Sequence, residues 1–153
     1  MSIIRRNILY IAWTFALVAS MGSLYMSNVL HWTPCVLCWY QRIFLYPLVF
    51  VIGAGIIKKI TDLEYLVLPL TVTGGAIAFY HSLLQYGIIS EKFVVCTSGV
   101  SCTEPYHILY PFITVPLLSL ITFIAISLGM YIYHIKKEKM SWTNNLWFYL
   151  GLL

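Results

Sequence analysis

The chain has 153 residues, of which 61% are hydrophobic, 16% aromatic and only 9% charged. A soluble domain carries about 25% charged residues, and a disordered chain combines low hydrophobicity with high charge, so the composition excludes both. Net charge is +4, but the nine Lys and Arg form no single basic face, which argues against a nucleic-acid partner. The composition is that of an integral membrane protein, and the length is that of one domain.

A helix crosses the bilayer core with about 20 apolar residues. Residues 8–30 contain no Asp, Glu, Lys or Arg, residues 34–57 are apolar apart from Arg42, residues 65–90 carry only His81, and residues 105–135 carry only His107 and His134. These segments predict four membrane helices, roughly 8–27, 35–57, 65–86 and 110–135. No alternating ten-residue pattern of a membrane barrel occurs. The expected fold is therefore all-α, a four-helix membrane bundle. The first apolar run is longer than the roughly 7–15 residues of a signal peptide and ends in no small-x-small site, so it reads as an anchor.

Arg5 and Arg6 precede the first span, Lys58 and Lys59 separate the second from the third, and Lys136, Lys137 and Lys139 follow the fourth. Four crossings put all three segments on one side, and a Lys/Arg excess marks the cytoplasmic side. Both termini are thus expected in the cytoplasm of a cell-membrane protein. The connections at residues 27–33 and about 87–109 would face outward.

Ala12, Ala16, Ser20, Ser23 and Ser27 recur on one face of the first helix, a stripe that lets helices approach closely in lipid. Gly53, Gly55, Gly74 and Gly75 read the same way. Pro47 and Pro116 are expected to bend their spans. Residues 140–153 are aromatic and too short to span, which suggests an interfacial tail to a single domain covering 1–153.

Cys35 and Cys38 stand in T-P-C-V-L-C-W-Y-Q-R. Thr33 is a predicted N-cap and Pro34 a predicted first helical residue, which sets both cysteines in the first turns of the second helix. A helix N-terminus favours a thiolate, and residues three apart can close a disulfide. Arg42 follows on the same face, where a guanidinium would steady a thiolate or a reduced oxygen anion. An Arg within a span is a functional candidate by default. Cys96 and Cys102 lie in the second outer connection, in V-C-T-S-G-V-S-C-T, and can form a second bridge. All four cysteines therefore fall on the side where disulfides persist.

Other readings of the same residues stay open. Both pairs could be inert staples, the four thiols could hold zinc, and Arg42 could be an interfacial anchor. His81 could be an ordinary hydrogen-bonded core residue. His31, His107 and His134 receive no role, and Glu91 and Glu104 read as solvated loop charges.

The motif C-V-L-C-W-Y-Q-R, preceded by Pro and opening a second membrane helix, resembles the DsbB family of quinone-dependent thiol–disulfide oxidoreductases, most closely its compact BdbC-like branch. The likeness covers nearly the whole chain: four spans, a CxxC after the first, and a second Cys pair between the third and fourth. The vitamin K epoxide reductase family, with loop cysteines early and its CxxC late, fits less well. H-S-L-L-Q, residues 81–85, is similar to a family segment near the quinone.

The resemblance implies a disulfide oxidase. Cys96–Cys102 would oxidise an extracytoplasmic thioredoxin-like partner, with Cys96 forming the mixed disulfide. Cys102 would exchange with Cys35, and Cys38 would face a membrane quinone, menaquinone or ubiquinone, beside Arg42 and His81. Only five residues separate Cys96 from Cys102, fewer than in larger family members. A carrier of reducing power outward would need thiols in the spans or facing the cytoplasm. The remaining alternative is a non-enzymatic membrane subunit with stapled outer loops.

Overall fold

A computed structural model describes residues 3–60, 62–89, 102, 107–109 and 113–150. Among these, four helices are long and apolar enough to cross a membrane. They are α1 (Ile3–Asn28), α2 (Val36–Lys58), α3 (Glu64–Gln85) and α4 (Val115–Leu150). At 1.5 Å per residue, even the 22 residues of α3 match a hydrocarbon core of about 30 Å. The all-α membrane bundle expected from the sequence is the fold observed.

Each helix packs on its chain neighbour and α1 also packs on α4, so α2 and α4 stand on a diagonal with little direct contact. Leu9 and Ala16 of α1, Leu48 and Ile52 of α2, Val67 of α3 and Phe123 of α4 fill the centre. Large apolar side chains such as Phe50 and Ile57 cover the outside, 75% and 81% exposed, as lipid-facing positions require.

The small residues act as expected. Ala12, Ala16 and Ser20 are buried, and a Cβ added at Gly129 of α4 would lie 3.9 Å from that of Ala12. At Gly74 an added Cβ would come within 2.5 Å of the Phe123 ring and 3.0 Å of the Phe44 Cβ. Trp13 Nε1–H of α1 donates to the Val49 carbonyl of α2 at 3.0 Å. Both α2 and α3 continue through a proline, Pro47 and Pro69.

Several boundaries differ from expectation. α1 starts at Ile3 because no residue there breaks a helix, and Arg5 is buried with its guanidinium 4.4 Å from the Tyr133 ring centroid. α4 starts at Val115 because the chain before it forms a small antiparallel ribbon, β1 (His107–Leu109) with β2 (Ile113–Thr114). Pro116 is therefore the second residue of α4 and not a mid-span kink; the first-turn N–H groups have no helical partner to lose. No Gly or Pro occurs between Ile135 and Leu150, and α4 runs on through Leu150, past the expected helix end near residue 135.

The end of the bundle near the α2–α3 connection is tied by charge. Glu64 is buried and accepts from Lys137 at 2.8 Å, with His134 Nδ1 at 3.2 Å; Lys137 also donates to Asp62. His134 thus has a place in packing that its position in the sequence did not reveal.

Candidate thiol site

The opposite end carries the sulfurs. After α1, the Tyr25 carbonyl accepts the N–H groups of Val29 and Leu30, the Trp32 N–H bonds Met26 O, and His31 turns through a left-handed φ of 52°. This reversal delivers Pro34 and Cys35 to the start of α2. The cap is Cys35 itself, in an extended conformation, with its carbonyl taking the Trp39 N–H at 3.1 Å. The expected Thr33 cap and Pro34 first turn are corrected: the helix begins two residues later. Cys35 keeps the non-helical backbone of a cap, and its sulfur turns toward Cys38 and His81.

Cys35 Sγ and Cys38 Sγ lie 3.2 Å apart as free thiols. His81 Nε2 of α3 sits 3.7 Å from Cys35 Sγ, and His81 itself has no exposed surface. The Cys38 thiol beside it holds the Cys35 thiol well below its ordinary range; burial works against this and His81 adds to it. His81 Nδ1 meets the Gln41 carboxamide of α2 at 2.9 Å, and Gln41 in turn is bonded to the Ser119 hydroxyl of α4. One hydrogen-bonded chain therefore runs from α4 through α2 to α3 and ends at a sulfur. It bridges the diagonal of the bundle that packing leaves thin.

Arg42 does not touch either sulfur. It donates to Ser23 O and Ser27 Oγ of α1 and lies 5.4 Å from the Trp39 ring centroid. Ser23 and Ser27, expected only as small packing residues, are its anchors.

A cavity of about 410 Å³ opens between α1, α2 and α4. Its walls are mainly apolar, including Phe15, Met26 and Leu45, and its polar lining includes Cys35, Cys38, Gln41 and Arg42. Cys102 also lines it, is buried, and packs with Cys35 and Leu84. Cys102 is disulfide-bonded. Cys96 lies outside the described residues.

Residues 5–128 match the family model described as "Disulfide bond formation protein DsbB". The chain belongs to the DsbB family. Among its relatives, "Probable disulfide formation protein C 2" of Bacillus anthracis is 41% identical over 139 residues, 91% of this chain and 99% of that one. "Disulfide bond formation protein C" of Bacillus subtilis is 41% identical over 131 residues, covering 86% and 94%. "SPbeta prophage-derived disulfide bond formation protein B" of the same species is 40% identical over 121 residues, covering 78% and 80%. No solved structure matches the chain.

Membership in the DsbB family bears out the resemblance read from the CxxC segment, and with it the general role in disulfide bond formation. The structure brings Cys35, Cys38, Cys102, Arg42 and His81 to one end of the bundle, with His81 beside Cys35 and Arg42 on the cavity wall. Gln41 and Ser119 were missed by sequence reading. Gln41 carried a signal: an uncharged polar residue within a span, three residues after Cys38 and so on its face. Ser119 carried none, since a helical Ser commonly bonds a carbonyl of its own preceding turn. The three ligand-type atoms of Cys35, Cys38 and His81 lie within 4.8 Å of one another, but two thiols and an imidazole are equally what thiol exchange needs.

Proposed function

We propose that this DsbB-family protein oxidises an extracytoplasmic thioredoxin-like dithiol and passes the electrons to a membrane quinone, menaquinone or ubiquinone. The observation that carries this reading is the meeting of a free dithiol, Cys35 and Cys38, with a disulfide-bonded Cys102 on the wall of one apolar cavity. Exchange between two pairs needs a thiolate and an accessible disulfide close together, and electron delivery to a lipid-soluble acceptor needs a greasy site beside a sulfur.

The residues present suit a quinone. The cavity is apolar enough for a ring and its tail, and Arg42 and Gln41 supply the few polar groups that orient a ligand in such a site. When bound, a quinone supplies a two-electron, two-proton acceptor.

The chain's own residues divide the work. Cys96 takes the partner's thiolate in a mixed disulfide, and a second partner thiol resolves it, leaving Cys96 and Cys102 reduced. Cys102 then attacks the oxidised Cys35–Cys38 pair at Cys35 and releases Cys38 as a thiolate. Cys96 closes on Cys102 and frees Cys35. Arg42, braced by Ser23 and Ser27, holds negative charge at the cavity, and His81 serves Cys35. Placing the sulfurs outside and both termini in the cytoplasm is supported by the Lys/Arg excess at the opposite end.

The deciding experiment mixes the purified protein with a reduced thioredoxin-like protein and quinone. Quinol should form in step with partner oxidation. Absence of quinol with both menaquinone and ubiquinone analogues would remove the enzyme reading.

A further inference from the structure

Ser119 Oγ has one proton but two acceptors within reach, the Pro116 carbonyl at 2.9 Å and Gln41 Oε1. With the carboxamide turned this way, one acceptor goes short, and the Gln41 amino group faces His81 Nδ1. A half-turn of the carboxamide exchanges oxygen for nitrogen in nearly the same positions. Ser119 then donates to Pro116 O, the Gln41 amino group donates to Ser119 Oγ, and His81 Nδ1–H donates to Gln41 Oε1. The Ser119 hydroxyl, one Gln41 N–H and the His81 Nδ1–H each then have one acceptor, and the lone pair of His81 Nε2 is aimed at the Cys35 sulfur, 3.7 Å away.

The two orientations differ in chemistry. If His81 takes a proton from Cys35, both ring nitrogens carry hydrogen and Nδ1–H needs an acceptor. The half-turned carboxamide provides one; the other orientation would set N–H against N–H in a buried site, where an unmatched polar group is costly.

We propose that Gln41, fixed by Ser119, is a positioning residue that holds His81 in the Nδ1–H form, so that Nε2 accepts the proton of Cys35. In the step the Cys35 S–H bond breaks and the His81 Nε2–H bond forms; one proton moves and no electron does. The resulting imidazolium keeps Nε2–H on the thiolate and Nδ1–H on Gln41. The inference deepens the thiol-exchange reading of this site and rests on it.

Among the described residues, the other ionisable groups near Cys35 and His81 are Cys38 and Arg42 of α2 and Tyr80 of α3. The α1 and α4 residues that line the cavity contribute no ionisable side chain, and Cys102 is held in its disulfide.

The test uses the full chain in detergent, reduced, with no quinone and no partner. Site-resolved mass spectrometry follows alkylation of Cys35 by iodoacetamide against pH. Gln41→Leu should move the midpoint up by about one unit, roughly a tenfold loss of rate at a pH below both midpoints. Gln41→Glu, which still accepts from Nδ1–H, should restore the parent profile, and Ser119→Ala should move it the same way by less. A Gln41→Leu profile that overlays the parent overturns the proposal, as does an equal shift in the Leu and Glu variants. Should the Leu variant not fold, nitrogen NMR of histidine-labelled parent protein decides, with the His81 signal assigned by its loss in His81→Gln. An imidazolium, or a neutral ring protonated at Nδ1, supports the proposal, and a neutral ring protonated at Nε2 overturns it. Failure of the quinol assay with these results intact would remove the enzyme reading and leave the Gln41 assignment standing.

Discussion

Arg42 of α2 and Ser27 of α1 are hydrogen-bonded across the helix interface beside the cavity, and the Ser23 carbonyl takes a second bond from the same guanidinium nitrogen at 3.2 Å. An Arg in a span is expensive unless its donors are met. These contacts meet two of them while leaving the guanidinium on the cavity wall.

This brace yields the first prediction. Arg42→Met should raise the apparent KM for quinone by about 10- to 100-fold, the worth of a charge-assisted hydrogen bond. Exchange between the partner and Cys96–Cys102 should continue. Ser27→Ala should give a smaller rise in the same direction, because Ser23 O still holds the guanidinium. Steady-state quinol formation measures both, and an unchanged quinone KM in Arg42→Met would reduce Arg42 to a membrane anchor.

The second prediction separates the two cysteine pairs. Cys96→Ala should abolish oxidation of the partner yet leave quinone able to oxidise the Cys35–Cys38 dithiol. Cys38→Ala should do the reverse, allowing one round of partner oxidation by Cys96–Cys102 and no quinol. Single-turnover thiol counts and quinone absorbance read the two half-reactions. Equal loss of both in Cys96→Ala would refute the division of labour.

A third prediction concerns pH. Cys35 is an acid whose pKa lies below its ordinary value because the Cys38 thiol donates to its thiolate. Its reactivity should therefore already be high at neutral pH and fall only as pH drops through the lowered value, whereas an ordinary thiol loses reactivity below about 8.5. Cys38→Ala removes the first cause and should return the profile of Cys35 toward the ordinary thiol. Iodoacetamide rates across pH check the direction of the change.

Much of this was legible in the sequence, for physical reasons. A span must be apolar for about 20 residues, so all four helices could be placed, with the ends of α2 and α3 within a residue or so. The start of α1 and both ends of α4 differed by more, α4 running on to Leu150 because the helix continues past the apolar run. Arg5 escaped because burial against Tyr133 lets a charged residue enter the helix. The start of α4 escaped because a short ribbon, paired through backbone atoms, leaves little trace in side-chain pattern. The CxxC could be read because two sulfurs three residues apart at a helix start have few other uses. The chain Ser119–Gln41–His81 could not, because it joins residues 78 and 40 positions apart.

Close packing gives the fourth prediction. Gly74 lies where a Cβ would strike the Phe123 ring at 2.5 Å, with the Phe44 Cβ at 3.0 Å on another side. A ring held in the bundle centre yields less easily than the tip of an aliphatic chain. Gly74→Ala should therefore destabilise the protein by about 1–3 kcal/mol, the usual cost of overpacking. Gly22→Ala in α1 meets nothing within 4 Å and should be neutral or stabilising by up to about 1 kcal/mol, since Ala is the better helix former. Thermal unfolding in detergent compares the pair, and similar losses in both variants would show that the Gly74–Phe123 contact is not what limits substitution.

The fifth prediction fixes the sidedness on which the thiol chemistry depends. The sulfurs sit at the end of the bundle opposite the Glu64–Lys137 tie. Lys58, Lys59 and Lys136 cluster near that tie, and a Lys/Arg excess faces the cytoplasm. A membrane-impermeant maleimide added to intact, reduced cells should therefore label native cysteines from outside. A cysteine introduced at Lys59 in a Cys-free background should react only after the membrane is opened. The reverse pattern would put the thiols in a reducing compartment, where a disulfide at Cys102 would not persist and no secreted dithiol could reach it.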